Sequence, residues 1–236
     1  MGAYRKSTIS EYSDVDKRHT PISDEDRAIL VNGSKGYFQS WNSFIINKAI
    51  RRSQKERIPL ESALVQQYEE EGFHTDDAER RKDQALKVIE SMDRSMKPLD
   101  KDVDVVRMTT NKWLRTALQK MGVYTDDLKS VATDYLHNIV RTRIDKINET
   151  LANNDVIYYD QAFNSATYNT SLSDSAFSDR PVRIEYVGTK GTNAVFSPTD
   201  SESEVVFDRK SGLQIERIGW DSDKYQLVIY GRTTKK

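Results

Sequence analysis

The sequence predicts an α+β fold, in which N-terminal helices pack on a C-terminal mixed or antiparallel β-core. Apolar residues recur at helical spacing in several segments between residues 21 and 151. From Val156 onward, short segments rich in Val, Ile, Tyr and Phe are separated by turns that contain Gly or Asp. Helices followed by strands are typical of this fold class. Because no linker or internal repeat interrupts the pattern, we expect one domain at residues 21–236.

Composition excludes several classes of function. The chain has 236 residues, a formal net charge of -1, 3 histidines and no cysteine. Disulfides, thiolate zinc sites and cysteine nucleophiles are therefore excluded, and we expect no metal site. The near-neutral charge argues against general nucleic-acid binding. No apolar run is long enough for a membrane span, and the N-terminus lacks the apolar core of a signal peptide, so we expect a cytoplasmic protein. We also expect a monomer.

The helices are predicted in order along the first part of the chain. Residues 1–20 are rich in Ser, Asp, Lys and Arg and are predicted to be a flexible arm. Ser23 can cap a first helix with an acidic first turn, which ends before Gly33. Further helices are predicted at Tyr37–Arg52, Pro59–Glu70, 78–94, Trp113–Met121 and Asp126–Leu151. The apolar stripe of the second helix is interpreted as core, and it contains Phe38, Trp41, Phe44, Ile45, Ile46 and Ala49.

The strands are predicted from alternation of apolar and polar residues between turn signals. One strand precedes the last helices and the others follow them. They are predicted at Val103–Met108, Val156–Tyr159, Ala162–Thr167, Val182–Val187, Asn193–Phe196, Ser203–Phe207, Leu213–Gly219 and Tyr225–Tyr230.

Three polar features lie on or beside these strands. Arg107 ends the first strand, Ser165 and Thr167 share one face of another, and Glu202 and Glu204 open a third. The two glutamates project the same way, roughly 7 Å apart along the strand. Each feature also has an ordinary structural explanation: a surface arginine, strand-edge hydroxyls and a solvated acidic strand start.

If these strands pair, the side chains suit a dinucleotide whose glycosidic bond is broken. An arginine can grip phosphate through two hydrogen bonds. Glu204 can face the positive charge of an oxocarbenium-like transition state, and Ser165 can hold Glu204 in place. Glu202 can orient a cationic nucleophile such as a guanidinium.

The order of these motifs resembles the mono-ADP-ribosyltransferase exoenzyme family of the Arg–Ser–Glu class. That family includes actin-modifying binary toxins, Rho-modifying clostridial exoenzymes and host-modifying transferases of tailed phages. The resemblance covers roughly residues 20 to 232. The similar stretches are Gly36–Tyr37, Ile46–Arg51, Val105–Arg107, Phe163–Thr167, Lys190–Ala194 and Glu202–Phe207.

The resemblance implies a two-sheet ADP-ribosyltransferase-like fold and NAD as the substrate. It implies that NAD is contacted by Arg107, Asn47, Arg51, Ser165 and Thr167. The implied reaction transfers ADP-ribose to an arginine of a target protein in the cytoplasm of a host or target cell.

Within the same resemblance, Glu204 is the catalytic glutamate and Ser165 orients it. Glu202 favours arginine as the acceptor, and residues 197–203 form a substrate-recognition loop. The predicted activity is therefore that of an NAD–protein-arginine ADP-ribosyltransferase. An NAD glycohydrolase, or a catalytically silent binding module of the same fold, is the alternative.

The sequence departs from the family pattern at several positions. Met108 follows Arg107 where the family usually has glycine, which could alter the NAD pocket. Ala166 and Thr167 replace the Thr and Ser of the serine motif. Asn42 offers a second register for the helix asparagine, in competition with Asn47.

Overall fold

The computed structural model describes residues 22–38, 40–168, 179–199 and 203–234. The predicted arm at residues 1–20 lies outside these ranges. The helices are α1 (Asp24–Leu30), α2 (Asn42–Glu56), α3 (Leu60–Glu70), α4 (Thr75–Ser95), α5 (Asn111–Lys120), α6 (Asp126–Lys129), α7 (Leu136–Arg141) and α8 (Ile144–Asn153). Within these ranges, no helix has the length and apolar character needed to cross a membrane.

The first helix begins as its sequence predicts. Ser23 precedes α1, and its hydroxyl accepts a hydrogen bond from the backbone N–H of Asp26 at 3.1 Å. Gly33 then adopts a positive φ of 43° in a short 3₁₀ turn, which ends the helical segment. Glycine reaches this left-handed region without steric cost, so the chain can turn here toward α2.

The prediction of one long helix at Asp126–Leu151 is wrong. The structure divides this segment into α6, a 3₁₀ turn, α7 and α8. The buried side chain of Asn111 donates to the carbonyl of Asp134 at 3.0 Å and accepts from the N–H of His137 at 3.1 Å. Because a side chain from α5 satisfies these backbone groups, the helix can break there and wrap around the core.

The interpretation of Trp41 and Phe44 as core residues is also wrong. Their exposed fractions are 63% and 50%, and the two rings contact each other with centroids 4.9 Å apart. Helix α2 begins at Asn42 instead of Tyr37, so residues before it do not continue its helical phase. The stripe residues Phe38, Ile45, Ile46 and Ala49 are buried, as predicted.

Nine strands in the described ranges form the β-core, and the predicted α+β class is confirmed. They are β1 (Lys97–Pro98), β2 (Val103–Thr109), β3 (Val156–Tyr159), β4 (Asn164–Thr167), β5 (Val182–Gly188), β6 (Asn193–Phe196), β7 (Glu204–Phe207), β8 (Gly212–Asp221) and β9 (Gln226–Thr234). Their order is β1-β6-β7-β4-β2-β5-β9-β8-β3. Pairs of described strands are antiparallel, apart from the parallel pair β5–β9.

The two halves of this sheet meet at one paired position, where Val106 of β2 lies opposite Thr167 of β4. On one side of this junction are β1, β6, β7 and β4, and on the other are β2, β5, β9, β8 and β3. A junction with so little pairing lets the halves diverge. The predicted two-sheet arrangement corresponds to these two halves of a continuous strand order.

The two faces of the β4–β7–β6 half belong to different hydrophobic clusters. Alternate residues of a strand point to opposite faces. Val195 and Val206 accordingly belong to a cluster with residues of α1–α4. Phe196 and Val205 belong to a second cluster, which contains residues of β2, β5, β8 and β9 as well as of α5–α8. Ser165 is two residues after Phe163, so the two side chains point to the same face. Phe163 packs in the cluster that contains α2, so Ser165 points to the side where α2 lies.

Candidate active site

Ser165 and Glu204 are neighbours on one face of the sheet. The antiparallel pairing of β4 and β7 sets Ser165 opposite Val206 and Thr167 opposite Glu204. Ser165 Oγ donates a hydrogen bond to Glu204 Oε1. A neutral hydroxyl orients the carboxylate without cancelling its charge, so the pair can face a developing positive charge.

Both ends of the predicted recognition loop are attached beside this pair. The backbone N–H of Ser197 donates to the carbonyl of Glu204 at 2.8 Å. The carbonyl of Ser203 accepts from the N–H of Tyr168 at 3.0 Å and from Thr167 Oγ1 at 3.3 Å. Ser203 has a φ of 46°, an unfavourable conformation for a residue other than glycine, immediately before Glu204.

Glu202 lies outside the described residues, as do the other members of the stretch 200–202. Its predicted position near Glu204 therefore stays a prediction, and so does its role in choosing arginine as the acceptor.

The hydroxyl of Tyr37 is the point around which several candidate residues meet. Tyr37 is 1% exposed and accepts a hydrogen bond from Asn47 Nδ2 at 3.0 Å. Burial raises the pKa of Tyr37, and the negative charge of Glu204 raises it further. The charges of Arg107 and Arg51 act in the opposite direction. The pKa of this buried phenol is therefore sensitive to the charges of the carboxylate and of both arginines.

Asn47 suits a ligand contact better than Asn42 does. Asn42 is 4% exposed, donates to the carbonyl of Lys35 at 2.8 Å and accepts a hydrogen bond from the hydroxyl of Tyr68. Asn47 Oδ1, by contrast, is buried without a hydrogen-bond partner in the described part of the chain. A buried acceptor left unpaired is costly, so this atom is suited to a ligand that donates a hydrogen bond.

Arg51 is fixed by a residue that the sequence did not single out. Its Nε donates to Asp160 Oδ1 at 2.9 Å and its Nη2 donates to Asp160 Oδ2 at 2.8 Å. The N–H of Ala162 also donates to Asp160 Oδ1, at 3.1 Å. Burial opposes ionisation of Asp160, but the hydrogen bonds and charge of Arg51 outweigh it and hold the pKa of Asp160 below its ordinary value.

Arg107 reaches the site through a different face of β4. Its Nη1 donates to Asn164 Oδ1 at 2.8 Å. Asn164 directly precedes Ser165, so the two side chains leave opposite faces of the strand. Because β2 and β4 pair at one position only, Arg107 is not in the cross-strand row of Ser165. A cavity of about 30 Å³, lined by Asp160 among others, adjoins Arg107.

Met108, the departure from the family pattern, points away from Arg107. Successive residues of β2 alternate, and Met108 is 9% exposed. Its side chain therefore does not occupy the face from which Arg107 contacts Asn164.

Sequence reasoning missed Tyr37 and Asp160 as parts of this site. The only signal for Tyr37 was its place in the glycine–tyrosine stretch of the resemblance. For Asp160 there was no local signal, because its partner on α2 is 109 residues away.

Comparisons with known proteins agree with this architecture. The family model described as ADP-ribosyltransferase exoenzyme matches residues 11–236. A search of curated proteins gives no match.

Solved structures with the same fold include three bacterial proteins of the C3 type. The Clostridium limosum C3 exoenzyme is 16% identical, with 99% of this chain and 98% of that chain covered and a TM-score of 0.58. A C3 ADP-ribosyltransferase from Clostridium botulinum is 15% identical over 96% of both chains, with a TM-score of 0.57. A C3 protein from S. aureus, solved with NAD, is 16% identical over 100% of both chains, with a TM-score of 0.52.

These identities establish similarity of fold and nothing finer. The family match, however, extends over nearly the whole sequence. The chain therefore belongs to the ADP-ribosyltransferase exoenzyme family.

Proposed function

We propose that the protein is an NAD-dependent mono-ADP-ribosyltransferase that transfers ADP-ribose from NAD to an arginine side chain of a target protein. The observation that carries this proposal is the hydrogen bond from Ser165 to Glu204, and it is supported by a buried phenol whose pKa depends on the charges of Glu204 and of two arginines. We further propose that residues 21–236 act as one domain and as a monomer. The substrate NAD is an intracellular metabolite, so the activity belongs in the cytoplasm of a host or target cell.

The cationic groups suit the diphosphate of NAD. Guanidinium groups bind phosphate oxygens through parallel hydrogen bonds, and Arg51 and Arg107 are the two candidates. Asn47 Oδ1 needs a donor, which a ribose hydroxyl supplies. Thr167 lies in the same strand face as Ser165 and adds a hydroxyl for the ligand.

The carboxylate suits the bond that breaks. When the C–N bond between ribose and nicotinamide breaks, the bonding electron pair leaves with nicotinamide and positive charge develops on the ribose. Glu204 faces that charge and accepts a hydrogen bond from the ribose, while Ser165 keeps the carboxylate in position. A group that is oriented before the reaction and stabilises transition-state charge typically contributes about 10²–10³-fold in rate.

The second half of the reaction forms a new C–N bond. A nitrogen of the acceptor guanidinium attacks the ribose carbon and loses one proton. Glu202 orients this guanidinium and takes the proton, which then passes to solvent. This role rests on the spacing of Glu202 and Glu204 and on the family's pattern.

The test uses labelled NAD and a lysate that contains acceptor proteins. The wild type should label protein bands, and Glu204→Gln should reduce labelling by at least about 100-fold. Glu149→Gln is a matched control, because Glu149 is an exposed glutamate on α8, and it should label like the wild type. Equal labelling by Glu204→Gln would refute the role of Glu204.

A second variant separates transfer from hydrolysis. Glu202→Gln should abolish transfer to protein but leave release of nicotinamide, because the glycosidic bond can still break. Loss of both activities would contradict the role given to Glu202. Nicotinamide release by the wild type without protein labelling would indicate a glycohydrolase. No heat of binding at millimolar NAD in titration calorimetry would indicate a silent module.

A further inference from the structure

Asp160 is a buried carboxylate that the proposed reaction does not use. It lies just before β4, and its exposed fraction is 5%. An ionised carboxylate in such a position needs partners, because burial disfavours the charged form. Its partners are Arg51, through two hydrogen bonds, and the N–H of Ala162.

The ion pair is asymmetric in its access to solvent. The side chain of Asp160 is 4% exposed, whereas that of Arg51 is 41% exposed. Solvent, and therefore a dissolved anion, reaches the guanidinium of Arg51 more readily than the carboxylate of Asp160.

The pairing leaves one edge of the guanidinium available. Nε and Nη2 of Arg51 both donate to Asp160, and Nη1 makes no hydrogen bond to another described residue. Arginine side chains normally lose about 2 kcal/mol of rotamer freedom when they are immobilised. A guanidinium that is already fixed by a carboxylate loses less rotamer freedom when it binds a ligand, which favours affinity.

Asp160 also interacts with the second arginine of the site. The charge of Arg107 contributes to lowering the pKa of Asp160, so the carboxylate lies within electrostatic reach of both cations. An anion near two guanidinium groups offsets their mutual repulsion while no ligand is bound. The arrangement keeps both arginines close without a phosphate.

We propose that Asp160 is a positioning residue for NAD, which holds Arg51 so that its Nη1 edge faces the diphosphate. This inference rests on the proposed function. In it, Asp160 acts through Arg51 and does not touch the ligand. Two other roles predict different results: a purely structural ion pair leaves NAD affinity unchanged, and a carboxylate that competes with phosphate makes affinity rise when it is removed.

The experiment measures NAD affinity by titration calorimetry with the full chain. Asp160→Asn should weaken NAD binding about tenfold, a typical coupling between residues in contact. Arg51→Ala should weaken it at least as much. The double variant should bind no more weakly than Arg51→Ala alone, because Asp160 acts through that side chain. Equal or tighter binding by Asp160→Asn, or additive losses in the double variant, would overturn the proposal.

A kinetic measurement separates positioning from general damage to the fold. For release of nicotinamide, Asp160→Asn should raise KM for NAD about tenfold and change kcat less than about threefold. A fall in kcat with unchanged KM would overturn the proposal. Asp127→Asn is a matched control, because Asp127 also binds an arginine, Arg143, at an exposed position. This control should bind NAD like the wild type.

A second variant covers the case in which Asp160→Asn fails to fold. Arg51→Lys retains the charge beside Asp160 but has no planar fork, so one ammonium cannot both hold the carboxylate and present a fixed second edge. It should weaken NAD binding about tenfold, and wild-type affinity would refute the need for an oriented guanidinium. If the wild type itself does not bind NAD, the proposed function fails, whereas a binding wild type with unchanged variants refutes this inference alone.

Discussion

Two carboxylates near the candidate active site are held in opposite ways. Glu204 opens β7, is half-buried, and accepts a hydrogen bond from the hydroxyl of Ser165. Asp160 precedes β4, is buried, and is paired with the guanidinium of Arg51. A hydroxyl orients a carboxylate and leaves its charge in place, whereas a guanidinium also neutralises it.

The comparison teaches that the function of a carboxylate depends on the side chain that holds it, here a hydroxyl for Glu204 and a guanidinium for Asp160. In the proposed reaction, Glu204 faces a ligand that becomes positive. The charge of Asp160 is offset by a cation, so its use is to fix that cation for a ligand that is negative. The proposed chemistry needs both, since NAD carries a negative diphosphate between its two riboses and develops positive charge on the nicotinamide ribose.

The largest expected effect tests the pair of Glu204 and Ser165. Glu204→Gln should lower kcat for nicotinamide release about 10²–10³-fold. Ser165→Ala should lower it about 10- to 100-fold, because the carboxylate keeps its charge but loses its orientation. The double variant should be no slower than Glu204→Gln, since Ser165 acts through Glu204.

The control for this cycle is Ser130→Ala, which removes an exposed hydroxyl that donates a hydrogen bond to the carbonyl of Asp127. It should leave kcat unchanged. Independent losses for Ser165 and Glu204 that multiply in the double variant would show that the hydroxyl has a separate role.

The next effect concerns the diphosphate of the ligand. Arg107→Ala should raise KM for NAD about 10- to 100-fold, because a charge-assisted contact to phosphate is lost. Arg217→Ala removes an exposed arginine that stacks on Tyr230 and should not change KM. An unchanged KM for Arg107→Ala would mean that its bond to Asn164 is its whole role.

A smaller effect concerns the pH dependence of stability. The pKa of Asp160 is lowered in the folded protein, so its ion pair stabilises the fold above the ordinary aspartate pKa of about 3.9. That contribution is lost as the pH falls through the lower, folded pKa. Asp160→Asn should therefore reduce the free energy of unfolding at pH 7 by about 1–3 kcal/mol.

Urea titrations at several pH values measure this difference. The gap between wild type and Asp160→Asn should shrink as the pH falls below about 4. A gap that stays constant across this range would show that the ionised carboxylate is not the source of the stability.

The smallest expected effect is that of Tyr37→Phe. The hydroxyl accepts the hydrogen bond of Asn47, so its loss frees that amide to change orientation. KM for NAD should rise about threefold, and the free energy of unfolding should fall by about 1 kcal/mol. Steady-state kinetics and urea titration check both numbers, and a variant as active and stable as the wild type would refute this function of the phenol.

Strands and helices were predictable to different extents. The observed strands Val156–Tyr159 and Asn193–Phe196 have the predicted bounds, because alternation and turn residues are local signals. The segment Asp126–Leu151 was predicted as one helix, because its apolar residues continue at helical spacing. The amide of Asn111 interrupts it, and that contact comes from a helix elsewhere in the chain.

The residues of the candidate site were likewise predictable only where the signal is local. Spacing along the chain was enough to select Ser165, Thr167 and Glu204 as residues of shared strand faces. It did not reveal that Asn47, and not Asn42, has a buried acceptor without a partner in the described ranges. That difference depends on how α2 packs against its neighbours.

The sequence by itself determined the α+β class, the alternation of the strands, the family motifs and the residues that could carry the chemistry. Each of these depends on residues a few positions apart, where backbone geometry sets which side chains share a face. Only the tertiary structure decided which strands are neighbours, that Trp41 and Phe44 are exposed, and that Arg51 is held by Asp160. Those outcomes depend on sheet register and helix docking, which join residues 109 positions apart.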